Sequence, residues 1–382
     1  MKKILLFLLL FISINRVYAI DLAKNSKSTV LMEASTGEII YKNNENERLA
    51  PASMTKMMSL IIIMEQIEKG YLKLDEKVKT SENAASMGGS QIYLEVGEEM
   101  SVDDLIKGIC MASGNDAVVS LAERIAGTEE QFVDMMNSKA RELKLKNTNF
   151  KNSTGLDEED HYSSALDMAL IAKELVRHQK VLDYSSNYED YLRKNTNKKF
   201  WLVNTNKLIK TYEGMDGLKT GYTSKAGYCL TATAKKNNMR LIGVVMNESS
   251  SKIRNSEMSS LLDYGFNLYK VNNLLKKGSV VSKYSNPKSS KINNDVIVLE
   301  DINILNNKNQ EKRNITYKIK LDNKDLPIKK HEKIGKLIAF ENGKSLFEVN
   351  VYSKNDIKKA NIFELYLRNI KSFINGDYFF RG

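Results

Sequence analysis

The sequence predicts an α+β body followed by a small all-β domain. Three observations carry this. Short β-patterned runs stand at both ends of the first 270 residues, long helix-patterned segments fill the space between them, and the texture and charge change beyond residue 270. At 42 % hydrophobic and 27 % charged, the chain has the apolar mass for a sizeable core.

Residues 1–19 stand outside that core. Lys2 and Lys3 precede an apolar run at 4–12, and Val17-Tyr18-Ala19 ends in a small residue. This is the pattern of a secretory signal peptide cut after Ala19, so the expected working place is outside the cytoplasm. The run is short for a bilayer span.

The body, 20–270, opens with apolar runs at 28–32 and 38–41 around Ser35-Thr36-Gly37, a strand–turn–strand pattern. Pro51 then opens the apolar stretch 54–67, closed by Gly70, whose length and end residues argue a buried helix. Further helices are expected at 101–110, 115–126, 128–143 and 164–177. Strands return at 228–234 and 240–246 across the polar turn Lys235-Lys236-Asn237-Asn238, and a helix at 256–269 would pack back on them. The expected arrangement is one antiparallel sheet with a helical insertion.

From 271 to 353, short strand candidates at 278–284, 296–299, 315–321, 336–340 and 345–352 alternate with Asn, Lys, Gly and Pro, and 306–314 reads as a loop. Lys and Arg number 23 beyond residue 269 against 12 Asp and Glu, whereas the first 269 residues hold 35 of each. The asymmetry marks a domain boundary and favours an anionic surface for the C-terminal part. A nucleic-acid partner is not expected, because the chain is read as secreted and carries no nucleic-acid motif. In 354–382, the apolar residues of 357–374 recur at helical spacing, with Lys358, Lys359, Arg368 and Lys371 mostly among the polar positions. Such a helix either lies in a membrane interface or packs on its own domain. Tyr378-Phe379-Phe380-Arg381 would add interfacial aromatics to the first arrangement.

The chemistry is carried by three short motifs. Ser53-Met54-Thr55-Lys56 supplies a hydroxyl and, one turn on, an amine. Ser113-Gly114-Asn115 follows an apolar helix, and Lys219-Thr220-Gly221 precedes a strand. A serine hydroxyl needs a base to become a nucleophile, and an ammonium with a pKa near ~10.4 cannot serve at neutral pH. Burial and a second cation at Lys219 would lower it, making Lys56 a neutral general base. Ser113 can pass a proton to a leaving amine, and Asn115 can hold Lys56 and a substrate amide. On a strand edge, Lys219 and Thr220 can meet a carboxylate, and Gly221 would leave room for a substrate backbone as an added strand. The backbone N–H groups of Ser53 and Tyr222 would form an oxyanion hole. No cofactor is needed. Three scattered histidines and no His-Glu-x-x-His make a zinc hydrolase improbable, and Cys110 and Cys229, each in an apolar stretch, read as two buried thiols.

The sequence around these motifs resembles the serine-type D-alanyl-D-alanine carboxypeptidases, the low-molecular-mass penicillin-binding proteins of the peptidase S11-like family. The likeness covers Leu49-Ala50-Pro51-Ala52 before the nucleophile, Met111-Ala112 and Asp116-Ala117 around the second motif, and His161-Tyr162-Ser163-Ser164-Ala165. It continues through Gly217-Leu218 and Tyr222-Thr223 around the third, then Ala226-Gly227-Tyr228-Cys229. The resemblance implies a β-lactamase/transpeptidase-like catalytic domain. It implies acylation of Ser53 by the penultimate D-alanine of a peptidoglycan stem pentapeptide and covalent inhibition by β-lactam antibiotics. Lys219 and Thr220 would bind the terminal carboxylate, and Arg254 in Ser251-Lys252-Ile253-Arg254 matches a further carboxylate-binding arginine. A D,D-endopeptidase would use the same machinery. A class A-like β-lactamase needs a Glu with Asn four residues on between motifs two and three, and Asp157-Glu158-Glu159-Asp160-His161 lacks that spacing. Intact motif side chains argue against a non-catalytic wall-binding protein.

Overall fold

In a computed structural model, residues 22–311 and 313–374 are described. The signal peptide expected at 1–19 and the aromatic cluster Tyr378-Phe379-Phe380-Arg381 lie outside the described residues.

The first body is built on a five-stranded antiparallel sheet in the order Ile39–Asn43, Ser28–Glu33, Met239–Glu248, Gly227–Lys236, Met215–Thr223. The N-terminal hairpin therefore closes on the last strand of the body, with Val30 opposite Val244. Alternation decides the layers. Val30, Met32, Ile242 and Val244 face the helical insertion, whose core includes Met57, Ile61 and Met168. Leu31, Leu241 and Val245 face the opposite way, onto Met258, Leu261 and Leu262 of the helix Ser251–Leu268.

The helix expected at 54–67 is observed as a short 3-10 turn, Ala52–Thr55, running into the α-helix Lys56–Glu68. Nine of that helix's residues are buried, so periodicity gives no single face. Val102–Ala112 and Asn115–Ala126 follow the expected positions. Ser101, Thr128 and Ser164 act as N-caps of their helices through side-chain oxygens.

Four expectations need correction. The helix placed at 256–269 begins five residues earlier, at Ser251, because Ser250 caps it by accepting the Ile253 amide hydrogen at 3.2 Å. The strand Met215–Thr223 was not recognised beyond its motif, since its sequence is polar and glycine-rich. The loop expected at 306–314 starts two residues later, after the strand Ile302–Asn307, which pairs with Tyr269–Leu275 and inserts Leu305 into the core of the first body. The terminal helix runs Ile362–Ile374, not from 357, because Ile357 is buried and exchanges backbone hydrogen bonds with Ile328.

The C-terminal domain is all-β, as expected. A second antiparallel sheet runs Val280–Ser285, Asn293–Ile297, Lys344–Ser353, Lys333–Glu341, Ile315–Leu321 around its own apolar core. Arg313 joins the two domains, with Nη1 2.9 Å from Glu38 in the first body and Nε 2.7 Å from Glu341. None of the residues of the helix Ile362–Ile374 is buried, and Ile362, Phe363, Tyr366, Phe373 and Ile374 are well exposed. Arg368 ties the helix to the domain by donating to the Ser289 and Ser290 carbonyls, each at 3.0 Å. No helix among the described residues is long and apolar enough to cross a membrane.

Candidate active site

The three motifs meet in one cleft. A 3-10 turn eclipses residues three apart, so Ser53 and Lys56 project the same way. Lys56 Nζ stands 3.0 Å from Ser53 Oγ, 2.6 Å from Asn115 Oδ1 and 2.6 Å from the Thr154 carbonyl oxygen. The amine is fully buried and makes no ion pair among the described residues. Burial first, then the Lys219 charge, holds its pKa well below the ordinary lysine range, while Asp116 and Glu129 oppose the shift.

Ser113 ends the helix Val102–Ala112 in the left-handed region, at φ 65°. That turn brings the start of the next helix back toward Lys56. The Ser113 hydroxyl is buried and has no hydrogen-bond partner among the described residues, so its proton is uncommitted. Asn115 spends its carbonyl on Lys56 and one N–H on the Gly88 oxygen at 2.6 Å, leaving the second N–H of the amide. Asp116 accepts the Ala117 N–H of its own helix's first turn at 2.9 Å and also reaches outside the helix. Its carboxylate accepts the backbone N–H groups of Ile92 at 3.1 Å and Leu94 at 3.0 Å, fixing the loop that walls this side of the cleft.

Lys219 lies on the edge strand of the sheet, buried, with Nζ donating to the Thr220 carbonyl at 3.1 Å. Burial, with Arg254 adding to it against the opposing Cys110 thiol, lowers its pKa to about 7. Thr220 Oγ1 bonds Thr205 Oγ1 at 2.8 Å. Arg254 is no surface residue. It is 5 % exposed in the first turn of its helix, and among the described residues its guanidinium bonds only the neighbouring Asn255 side chain, at 2.9 and 3.1 Å. Lys219 and Arg254 thus present two buried cations without a carboxylate partner among the described residues, the electrostatic complement of an anionic ligand.

Gly221 corrects an expectation. Its missing side chain admits the nucleophile turn and not a substrate backbone. A Cβ there would lie 2.8 Å from the Pro51 carbonyl oxygen and 3.3 Å from the Ser53 nitrogen. The same contact brings the Ser53 amide beside the strand that carries Tyr222. Tyr222 is exposed at the rim, its ring 4.4 Å from that of its cross-strand partner Tyr228. Because the strand is the sheet edge, its outer side remains open to an added strand.

Sequence reasoning missed Thr154, Thr205, Gly88 and Gly155. The first and third act through backbone carbonyls, which leave no residue signature. Gly155 passes under the nucleophile turn at φ +86°, where a Cβ would fall 1.9 Å from the Ala52 oxygen. His161 supports the turn from below. Its Nδ1 accepts the Lys151 N–H at 3.1 Å, so Nε2–H donates to Thr55 Oγ1 at 2.8 Å. Burial, outweighing nearby Glu158 and Asp157, lowers its pKa to about 4. Cys110 and Cys229 are both free and buried, and burial pushes their thiols up to about 12 and about 11.

Comparison with known proteins agrees with this geometry. The D-alanyl-D-alanine carboxypeptidase family of peptidases S11 matches residues 16–250, and the C-terminal domain of penicillin-binding protein 5 matches residues 269–359. The chain is 52 % identical over 341 residues to the D-alanyl-D-alanine carboxypeptidase DacF of Bacillus subtilis, covering 89 % of this chain and 88 % of that one. Penicillin binding protein 5 from Haemophilus influenzae superposes with a TM-score of 0.72 at 32 % identity, over 88 % of this chain and 98 % of that one. Penicillin-Binding Protein D2 from Listeria monocytogenes in its ampicillin-bound form superposes with a TM-score of 0.57 at 28 % identity, over 63 % of this chain and 98 % of that one. The family match spans more than half of the chain and the likeness to DacF runs through both domains, so the chain belongs to the D-alanyl-D-alanine carboxypeptidase family.

Proposed function

We propose that this protein removes the terminal D-alanine from peptidoglycan stem pentapeptides through an acyl-enzyme on Ser53. The observation that carries the reading is the buried, unpaired Lys56 amine 3.0 Å from the Ser53 hydroxyl. Neutral Lys56 takes the Ser53 proton as Oγ attacks the penultimate carbonyl. The oxyanion is held by the Ser53 and Tyr222 amides. Ser113 passes a proton to the leaving amine and is resupplied by the Lys56 ammonium. Free D-alanine departs, and a water deprotonated by Lys56 hydrolyses the ester. Lys219, Thr220 and Arg254 bind the terminal carboxylate, Asn115 orients Lys56 and the substrate amide, and Gly221 seats the nucleophile turn. A β-lactam amide enters the same path and stalls at the ester.

The enzyme acts outside the cytoplasm after loss of residues 1–19. Its catalytic domain spans 20–270, its β domain 271–353 and its terminal segment 354–382. The exposed apolar side of Ile362–Ile374, with Lys371 and the basic C-terminal domain, supports attachment to an anionic membrane surface. Mass spectrometry of a muropeptide digest incubated with the protein tests the reaction. Pentapeptides shortened by one alanine support it. Crosslinked dimers resolved to monomers, with pentapeptides untouched, make it a D,D-endopeptidase. Hydrolysis of added penicillin alone makes it a lactamase.

A further inference from the structure

The chain's single tryptophan, Trp201, is 56 % exposed. It stands on a β-hairpin made of Glu189–Leu192 and Phe200–Val203, where Tyr191 is its direct cross-strand partner. The opposite face of the hairpin is built in the ordinary way, with Leu192 and Leu202 fully buried in the core of the helical body. Alternation would put polar side chains on the outer face. It carries Tyr191 and Trp201 instead, while Tyr93, 67 % exposed, sets its ring edge-on at 5.7 Å to Phe200, the partner of Leu192 on the opposite face. Lys199 lies over the Tyr191 ring at 3.9 Å.

This face is rigid. Arg193 grips Glu98 with Nε at 2.6 Å and Nη2 at 3.0 Å, and donates to the Ile92 and Tyr93 carbonyls, each at 3.1 Å. It is also continuous with the cleft on both walls. The loop that Arg193 holds is the one Asp116 pins, and the Ser90 carbonyl in it accepts the Asn115 N–H at 2.7 Å. On the other wall the hairpin runs directly into Thr205, which bonds Thr220, and Asn206, which bonds the Gly217 carbonyl at 3.0 Å. The four residues from Trp201 to Thr205 span at most about 14 Å. Thr205 and Asn206 meet the edge strand at Thr220 and Gly217, on either side of Lys219 in sequence, so the aromatic hairpin joins the cleft at the stretch that carries the proposed carboxylate-binding residues.

We propose that this face binds a neighbouring glycan strand of the wall polymer, so that Trp201 and Tyr191 hold the enzyme on the polymer while the cleft takes a stem peptide. The inference rests on the peptidoglycan reading above. An N-acetylated pyranose strand offers flat C–H faces to the negative faces of aromatic rings, and hydroxyl and amide groups to Asn195, Asn197 and the adjacent lysines. Ring positions about 5 Å apart on paired strands suit a repeating ligand.

The lone tryptophan supplies the test. Its emission is followed as the full-length protein is titrated with peptide-free glycan strands, with an acyl-D-alanyl-D-alanine tripeptide, and with phosphatidylglycerol vesicles. The expected result is a saturable change with glycan only, retained after Ser53 has been acylated by penicillin. An emission unmoved by glycan, or moved by vesicles and not by glycan, overturns the proposal. In parallel, Trp201→Ala should raise KM about tenfold for polymeric strands bearing pentapeptides, with kcat kept and tripeptide turnover unchanged. Equal loss on both substrates overturns it in favour of a structural role. If the wild-type protein releases D-alanine from neither substrate, the carboxypeptidase reading fails, and the emission titration still decides the glycan site.

Discussion

Lys56 Nζ and Ser53 Oγ are 3.0 Å apart because one 3-10 turn, and not a turn of regular α-helix, separates the two residues. The turn ends where the buried helix begins, so the Lys56 amine is carried into the core while the Ser53 hydroxyl stays at the cleft. Ser53→Ala should abolish both D-alanine release and covalent labelling by a fluorescent penicillin. Lys56→Met fills a similar volume and should retain the melting temperature within a few degrees while acylation falls about 10²- to 10⁴-fold. Wild-type acylation in that variant would remove Lys56 as the base.

The two buried lysines set the pH profile in opposite senses. In the proposed mechanism Lys56 acts as the neutral amine, so acylation should be lost as falling pH protonates it. Lys219 acts as the cation, and with its pKa lowered to about 7 it loses its charge as pH rises. A bell-shaped kcat/KM for penicillin acylation is expected, with apparent limits belonging to the coupled pair. Lys219→Arg, which stays charged, should carry the alkaline limb upward by roughly one pH unit or more. An unmoved alkaline limb would assign it to another group.

His161 links stability to pH. Buried as the neutral ring, it has a pKa of about 4 in the folded protein against an ordinary 6.5. Between those values the unfolded chain binds the proton and the folded one does not, so stability is full above 6.5 and falls as pH drops toward 4. The expected loss is about 3 kcal/mol across that window. Urea melts at pH 7 and pH 4.5 measure it. His161→Gln, which keeps a donor for Thr55, should flatten this part of the slope, and an unchanged slope would assign it to the carboxylates.

Gly221→Ala places a methyl against the Pro51 carbonyl and the Ser53 amide. Pushing the strand from the nucleophile turn should cost about 1–3 kcal/mol of stability. It should also slow penicillin acylation more than it weakens reversible substrate binding. Stopped-flow acylation read against KM separates the two, and a pure KM effect would mean that Gly221 serves substrate space after all.

Removing residues 362–382 should shift the protein from the membrane to the soluble fraction, with turnover of a soluble tripeptide unchanged. Continued sedimentation with membranes would show that another surface holds it there.

The chemical inventory was legible because each motif joins its groups within three residues. Strand and helix types followed from a short apolar run where both faces are buried, as at Ser28–Glu33, and from a one-sided apolar pattern of helical length at Val102–Ala112. The failures share a cause. Met215–Thr223 and Ile302–Asn307 are strands by virtue of their partners, since their sequences lack an apolar alternation. Ile357 reads as part of an amphipathic helix, yet pairing with Ile328 holds it extended.

By itself the sequence determined the reactive groups of this protein, their order, the α+β body and the basic all-β domain behind it, because residue type and local period fix these. Only the tertiary structure decided that Lys56 is dry and unpaired, that Arg254 is buried beside Lys219, that Gly221 serves the nucleophile turn, and that Trp201 stands on an open face joined to the cleft. Those properties depend on desolvation and distance between segments up to about two hundred residues apart, and such segments meet only when the chain is packed.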